Sequence, residues 1–370
     1  MAPVTNPRIV FKERPQEGLP IAGKHIVLDS SHTIDLENVP LNGGYLTKSL
    51  VLSPEPAMRE RMRDPSITSY TTTYITGAPI VAFAVVVVVR SEKEEVKVGQ
   101  YMYGQTPWEA YTVQPYIEGR VKFEPDQWAP GTFDMDSLVL QPVPDPKGAY
   151  PLSTYTNILG TPGMTAFVGM EGVLQGKKDE TLFVSSGASG VGSLVIQLAK
   201  MKGMKVIASA GSDAKVKFML SLGADNAFNY KKESYGEALK KYGPIHAFWD
   251  NVGAEALDAA LEFCLPQARF AICGASGTDS IPYDDRYRLK NASQIQKKRL
   301  KIQGFVVPDY IPQFAAQFFQ EVPALVAQGK LKSKENTVGE KWDDVPQSIA
   351  DMLKSGHDIV GKPVVTVGSV

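Results

Sequence analysis

Along the first 150 residues the apolar positions fall in short runs of β-branched and aromatic type. Ile26–Leu28, Tyr45–Leu52, Ile80–Arg90 and Tyr111–Val113 are examples, separated by turn residues such as Asn42-Gly43-Gly44 and Ala129-Pro130-Gly131. Such runs bounded by Gly, Pro and Asn predict the strands of an irregular β domain. The longest uncharged apolar stretch, Ala78 to Val89, is too short to cross a bilayer and too β-branched for a helix. It reads as a core strand. After Gly172 the texture becomes strand-helix alternation. Thr181–Ser185 is apolar without alternation, as expected of a strand buried on both faces. Gly190–Lys202 then carries Val191, Leu194, Val195, Leu198 and Ala199 at helical spacing. Further pairs follow: Val206–Ala208 with Ala214–Leu222, Ala224–Phe228 with Ser234–Lys241, and Ile245–Trp249 with Ala254–Phe263. Arg269–Cys273 and Leu300–Val307 complete the series, which predicts a doubly wound parallel sheet. Tyr310–Gln328 reads as a long helix, and Val364–Val367 as a strand returning to the first domain.

Composition narrows the class of protein. At 370 residues two domains are expected. The formal net charge of −1 supplies no global field for nucleic acid or anionic membrane, so any anion site must be local. Two cysteines, Cys264 and Cys273, rule out a disulfide framework and fit a reducing, cytoplasmic compartment. Both sit in apolar segments and read as buried core thiols. The first residues include Lys12, Glu13 and Arg14 without an apolar stretch of the signal-peptide kind.

The chemistry concentrates at Gly187-Ala188-Ser189-Gly190-Val191-Gly192. This segment follows a buried strand and opens a helix, the context a dinucleotide loop requires. Glycines let the backbone approach a pyrophosphate, and the helix N-terminus offers unpaired N–H groups. The spacing is G-x-x-G-x-G rather than G-x-G-x-x-G, and alone it would fit a plain tight turn. NAD sites place an acidic residue at the end of the second strand to hold the ribose hydroxyls. Here that strand ends Ala208-Ser209-Ala210-Gly211-Ser212, with Asp213 after the turn and Lys215 in the following helix. A small polar loop with a nearby lysine favours the 2′-phosphate of NADPH; the rival reading of Lys215 is a solvated helix lysine. Catalytic zinc needs three Cys, His or carboxylate ligands. The first domain has no cysteine, and its only histidines are His25 and His32, so no metal site is expected. No H-E-x-x-H, G-x-S-x-G or Walker lysine appears.

The chain resembles the zinc-free branch of the medium-chain dehydrogenase/reductases, above all the prostaglandin and leukotriene reductases and plant double-bond reductases. Ser53-Pro54-Glu55-Pro56-Ala57-Met58-Arg59, Trp108-Glu109-Ala110-Tyr111 and Leu159-Gly160-Thr161-Pro162-Gly163-Met164-Thr165-Ala166-Phe167 carry the likeness. So do Gly211-Ser212-Asp213-Ala214-Lys215, Asn229-Tyr230-Lys231, Asp250-Asn251-Val252-Gly253, Ile272-Cys273-Gly274-Ala275 and Gln303-Gly304-Phe305-Val306-Val307. The resemblance implies a GroES-like β domain over residues 1–150 and a Rossmann domain over 151–322. A C-terminal segment over 323–370 would complete the first domain. It implies a homodimer and the reduction of a C=C bond conjugated to a carbonyl. The cofactor path would comprise Gly187, Ser189, Gly190, Val191 and Gly192, then Asn251 and the turn Cys273, Gly274, Ala275 and Ser276. Lys215 and Tyr230 would hold the 2′-phosphate, and Phe305, Val306 and Val307 would flank the nicotinamide.

The sequence departs from the family at several points. Ala57 and Phe167 replace tyrosines, Ile359 replaces an asparagine, and Asp279 stands where the family's active-site tyrosine would be. An ionised Asp accepts only and repels a forming enolate. The expected proton donor is therefore a tyrosine in the insert after the cofactor turn, Tyr287 first and Tyr283 second; both also fit a surface loop. The substrate expected is an enone or enal. A quinone reductase, a specialised biosynthetic enoyl reductase and a non-catalytic NADPH-binding protein remain open. Trp108 and Tyr111 also read as core aromatics, Arg59 and Arg61 as phosphate ligands or surface ion pairs, and His246 as a core histidine.

Overall fold

The computed structural model describes residues 2–16, 18–67, 69–115, 140–278, 281–354 and 356–369. The chain forms two compact units, Met1–Thr156 with Asn336–Lys354 and Pro363–Val370, and Asn157–Glu335 with Ser355–Lys362.

In the first unit, strand Val81–Ser91 is central and pairs antiparallel with Tyr45–Leu52 on one side and Tyr101–Pro107 on the other. Its run of valines suits a pleated surface packed on both edges. Lys362–Thr366 joins the same sheet, with Val365 opposite Leu52. The core beneath contains Ile9, Phe11, Met58, Val86 and Trp108, and late-chain Val345, Ile349 and Val365. Trp108 is fully buried and donates from Nε1 to the Phe83 carbonyl at 3.3 Å, so it is a core aromatic. Arg61 donates to the Val81 carbonyl and lies 4.4 Å over the Tyr74 ring. It therefore braces the fold.

The second unit is built on a six-stranded sheet. Its strands are β1 (Thr181–Val184), β2 (Lys205–Ala210), β3 (Asn226–Asn229), β4 (Ile245–Asp250), β5 (Cys264–Ile272) and β6 (Lys301–Gly304). Their order is β3-β2-β1-β4-β5-β6, and every neighbouring pair is parallel. The order reverses between β1 and β4, where such sheets open a crevice at the carboxyl ends of the strands. Helices α1 (Thr161–Val168), α2 (Gly190–Met201), α3 (Asp213–Ser221), α4 (Tyr235–Tyr242) and α5 (Ala254–Phe263) lie along this unit. Ser189, Ser212 and Ser234 cap α2, α3 and α4. Stacked Phe183 and Phe248, with ring centres 4.9 Å apart, fill the core with Phe228 and Phe270. His246 accepts at Nδ1 from the Thr181 amide at 3.0 Å, tying β4 to β1.

The boundaries differ from those the sequence suggests. The short helix Leu152–Thr156 stays with the first unit, where Tyr155 donates to the Pro144 carbonyl at 2.5 Å. The expected break at residue 323 falls inside helix α6 (Ile311–Ala327), which runs through Pro323. A proline costs one backbone bond there, but Phe314, Phe318 and Val322 bury one face of the helix, with Phe318 edge-on to Phe167 at 5.7 Å. The second unit thus extends to Glu335 and takes back 355–362. Strand β6 is also shorter than expected, because Pro308 turns the chain into a 3-10 turn at Val307–Tyr310.

Candidate functional site

The glycine loop joins β1 to α2 at the point where the strand order reverses. Ser189 Oγ accepts from the Gly192 amide at 3.1 Å and donates to the Ser186 carbonyl at 2.8 Å. A Cβ on Gly192 would lie 2.4 Å from the Ser186 carbonyl oxygen, so only glycine allows this tight first turn. The neighbouring Gly190 would meet Asn157 Oδ1 at 2.8 Å. Gly187 is similarly tight against Met219 Sδ, at 2.8 Å. Val191 is half-buried on the first turn of α2. The result is a helix N-terminus whose backbone can be approached closely, the local feature that holds a pyrophosphate.

At the end of β2 stands Lys215, 8% exposed, on the first turn of α3. Burial lowers its pKa most, and Lys231 lowers it further. Its Nζ donates to the His357 carbonyl, and Lys231 Nζ donates to the Gly356 carbonyl at 3.1 Å. Tyr230 stacks on Tyr235 with ring centres 5.5 Å apart, and burial raises the pKa of its phenol. Asp213 is the carboxylate nearest the strand end. It accepts from Asn229 Nδ2 at 2.9 Å and pairs with Lys232 at 2.5 Å. Those contacts hold its pKa down. The chemistry here favours an anion: cations whose partners are carbonyls, beside a carboxylate already paired.

A second cluster gathers at the ends of β4 and β5. Asp250 is fully buried; its Oδ1 accepts from Val252 N at 2.9 Å, Gly253 N at 2.8 Å and Ser185 Oγ at 3.0 Å. Burial raises its pKa. Asn251 Nδ2 donates to the Ser185 carbonyl at 2.7 Å, and its Oδ1 accepts from Trp249 Nε1 at 3.0 Å. The turn after β5 hangs from this pair. Cys273 N donates to the Asp250 carbonyl at 2.8 Å, Gly274 N to the same oxygen at 3.1 Å, and Ser276 Oγ to the Asn251 carbonyl at 3.0 Å. Ala275 lies in the same turn and accepts from Thr278 N at 2.8 Å. Cys273 is half-buried as a residue, and burial of its thiol together with the Asp250 charge pushes its pKa up to about 12. It is therefore no nucleophile at neutral pH. Phe305 packs edge-on to Trp249 at 5.6 Å and to Tyr310 at 6.1 Å, with half-buried Val306 and Val307 following. Asn251, Cys273–Ser276 and Phe305 are thus linked through Trp249 and Asp250.

Tyr287 is not part of that chain of contacts. Its hydroxyl donates to Asp258 Oδ2 on α5 at 3.0 Å, and Asp258 Oδ1 also accepts from the Lys290 and Asn291 amides, each at 2.8 Å. The buried carboxylate gathers the insert onto the helix. The Tyr283 side chain and Asp279 lie outside the described residues. Sequence reasoning gave no role to Asp258 or the 356–358 stretch, and took Asp250 only as part of a motif and Ser185 only as the end of a strand. A buried-helix position occupied by Asp, as at 258, was the available signal for one of them.

The reversed strand order, the capped glycine loop and the buried lysine at the end of β2 define a dinucleotide-binding protein of the Rossmann class. Family models agree with that class. An N-terminal domain of oxidoreductase matches residues 9–119 and a zinc-binding dehydrogenase model matches 190–325. A zinc-type alcohol dehydrogenase-like protein of Schizosaccharomyces pombe is 34% identical over 98% of this chain and 99% of its own. A 2-alkenal reductase (NADP(+)-dependent) of Nicotiana tabacum is 35% identical over 90% of each chain. CurA from Vibrio vulnificus, solved in complex with NADPH, aligns at a TM-score of 0.81 and 27% identity, covering 98% of this chain and 100% of that one. The chain belongs to the medium-chain dehydrogenase/reductases, in their zinc-free branch. Among the described residues no group of three or more His, Cys, Asp or Glu could hold a metal ion. Nor, among them, is any helix long and apolar enough to cross a membrane.

Proposed function

We propose that this chain is an NADPH-dependent reductase of C=C bonds conjugated to a carbonyl. The observation that carries the reading is the cluster at the end of β2, where Lys215 and Tyr230 stand and Asp213 is paired off by Asn229 and Lys232. That arrangement suits a 2′-phosphate and disfavours NADH. The 2-alkenal reductase relative supports the substrate class.

The glycine loop would take the pyrophosphate, and Asn251 with the Cys273–Ser276 turn would line the nucleotide's path. Phe305, braced by Trp249, would place the nicotinamide with Val306 and Val307 beside it. When bound, NADPH supplies a hydride to the substrate's β-carbon. Charge then gathers on the substrate carbonyl oxygen, and stabilising it calls for N–H or O–H donors rather than a metal. The α-carbon must next gain a proton. Tyr287 can give one only by leaving Asp258, so we assign it to holding the insert and leave the proton to Tyr283 or solvent.

The test is NADPH oxidation with a panel of enones, enals, quinones and carrier-bound enoyl compounds. Turnover confined to enones and enals is expected. Turnover of quinones or carrier-bound substrates alone points to those activities, and NADPH binding with no turnover to a non-catalytic role. Lys215→Ala should cost about 1.5–3 kcal/mol of NADPH affinity and spare NADH. Equal losses would remove the 2′-phosphate assignment.

A homodimer is part of the proposal. Strand β6 is the sheet's edge and is exposed along its length, and Ile302 and Phe319 are 37% and 64% exposed. Such an edge invites pairing with a second copy. Light scattering in solution should give twice the chain mass. Two free cysteines fit a cytoplasmic setting.

A further inference from the structure

Lys215 and Lys231 come from different elements, α3 and the turn after β3, yet both ammonium groups reach one short stretch of chain. Lys215 Nζ donates to the His357 carbonyl and Lys231 Nζ to the Gly356 carbonyl at 3.1 Å. The stretch is held close. Gly356 has φ of +69°, and a Cβ there would lie 3.0 Å from the Tyr230 hydroxyl and 3.2 Å from Lys231 Nζ. Further along, Gly361 N donates to the Ala188 carbonyl of the glycine loop at 2.8 Å. The same stretch therefore touches both the glycine loop and the lysines at the ends of β2 and β3.

The charges around the two lysines are unbalanced. Lys231 depresses the Lys215 pKa, and both lysines depress that of the His357 imidazole. Among the described residues the hydrogen-bond partners of both ammonium groups are neutral carbonyls. Asp358 raises the Lys215 pKa through its charge by more than Lys231 lowers it, but it is not among the hydrogen-bond partners of the ammonium group. Asp213, a carboxylate at the same strand end, is taken by Asn229 and Lys232. Two cations converging without a carboxylate partner make a site for a multiply charged anion. Lys231 is exposed where Lys215 is buried, so the pair can be reached from solvent.

We propose that Lys231 is a second ligand of the NADPH 2′-phosphate beside Lys215, and that the phosphate takes the place of the Gly356 and His357 carbonyls on the two lysines. This rests on the reading that Lys215 marks the 2′-phosphate end. Neutral acceptors give way to a dianion because it adds the attraction of opposite charge to the hydrogen bond that each ammonium group already makes. Freed of its lysines, the 356–358 stretch is then secured chiefly through Gly361.

The test uses adenosine 2′,5′-bisphosphate and 5′-AMP, titrated calorimetrically into the full chain. Lys231→Ala should weaken the bisphosphate by about tenfold or more, the loss of one charge-assisted hydrogen bond, and leave 5′-AMP within about twofold. Lys231→Arg should keep most of the affinity, showing that the loss is of charge rather than fold. If Lys215→Ala abolishes discrimination between the two nucleotides and Lys231→Ala does not, the second-ligand assignment is overturned while the 2′-phosphate reading stands. If neither variant changes discrimination, both fall. Hydrogen exchange supplies the other readout. The bisphosphate, and not 5′-AMP, should speed amide exchange in peptides covering 356–360. Unchanged or slower exchange there would overturn the replacement of the carbonyls.

Discussion

Tyr287→Phe separates a phenol that supports the fold from one that takes part in the reaction. The substitution removes one donor from Asp258, which is 5% exposed and keeps the amides of Lys290 and Asn291. A hydrogen bond to a charged group contributes about 1.5–3 kcal/mol. With two amide donors retained, the lower end applies, about 1.5 kcal/mol. For a unit of this size each kcal/mol moves Tm by about 2–4 °C, so a fall of about 3–6 °C is expected by scanning calorimetry. The turnover number on an enone should stay within about twofold of the parent, measured with deuterated NADPH to confirm that hydride transfer limits the rate. A donor to the developing oxyanion would instead contribute about 2.7–4 kcal/mol, a hundredfold or more in kcat. A hundredfold loss of kcat with Tm unchanged would refute the structural assignment and return Tyr287 to the reaction.

Three further outcomes are expected. Gly192→Ala forces a methyl to within 2.4 Å of the Ser186 carbonyl oxygen; it should cost about 1–3 kcal/mol of stability and weaken NADPH binding as followed by nicotinamide fluorescence. His357 is held neutral, its pKa lowered from 6.5 to about 4 by burial first and then by Lys215. Between those values the unfolded chain binds the extra proton, so stability falls as pH drops from about 6.5 to about 4 and levels off below, by up to about 3 kcal/mol. His357→Gln should flatten that part of the pH–stability curve, and an unchanged slope would count against it. Exhaustive chelation should leave enone reduction intact, with elemental analysis finding no stoichiometric zinc; zinc lost together with activity would show that the site has been misread.

Much of the second unit was legible because its central strands are buried on both faces. Thr181–Val184 and Ala247–Trp249 are apolar runs without alternation, and the first is followed by a helix capped by Ser189. Gly187 to Gly192 could be placed because close approach demands glycine there. The long helix across Pro323 was legible from Tyr310 to Gln328 although proline argues for a break, and the packing of Phe314, Phe318 and Val322 carries it through; the domain boundary placed at 323 had no such support. The 356–358 stretch had no signal. It is short, polar and without period, and it acts through backbone carbonyls, which every residue has. The contact between Tyr287 and Asp258 had no signal for a similar reason. It is fixed by the folding of the insert onto α5, which local spacing does not encode.

The interleaving of the two units also sets the order in which they can mature during synthesis. Residues 181–304 emerge as one run, so the parallel sheet can form while later residues are still being added. The carbonyls facing Lys215 and Lys231 arrive only with Gly356 and His357. Val365, which pairs with Leu52, comes later still. The first unit begins earliest and closes last, and its sheet must be completed across most of the chain's length, the kind of non-local contact that slows folding. Until then a nascent chain can hold a formed dinucleotide loop while the sheet of the first unit is still unfinished.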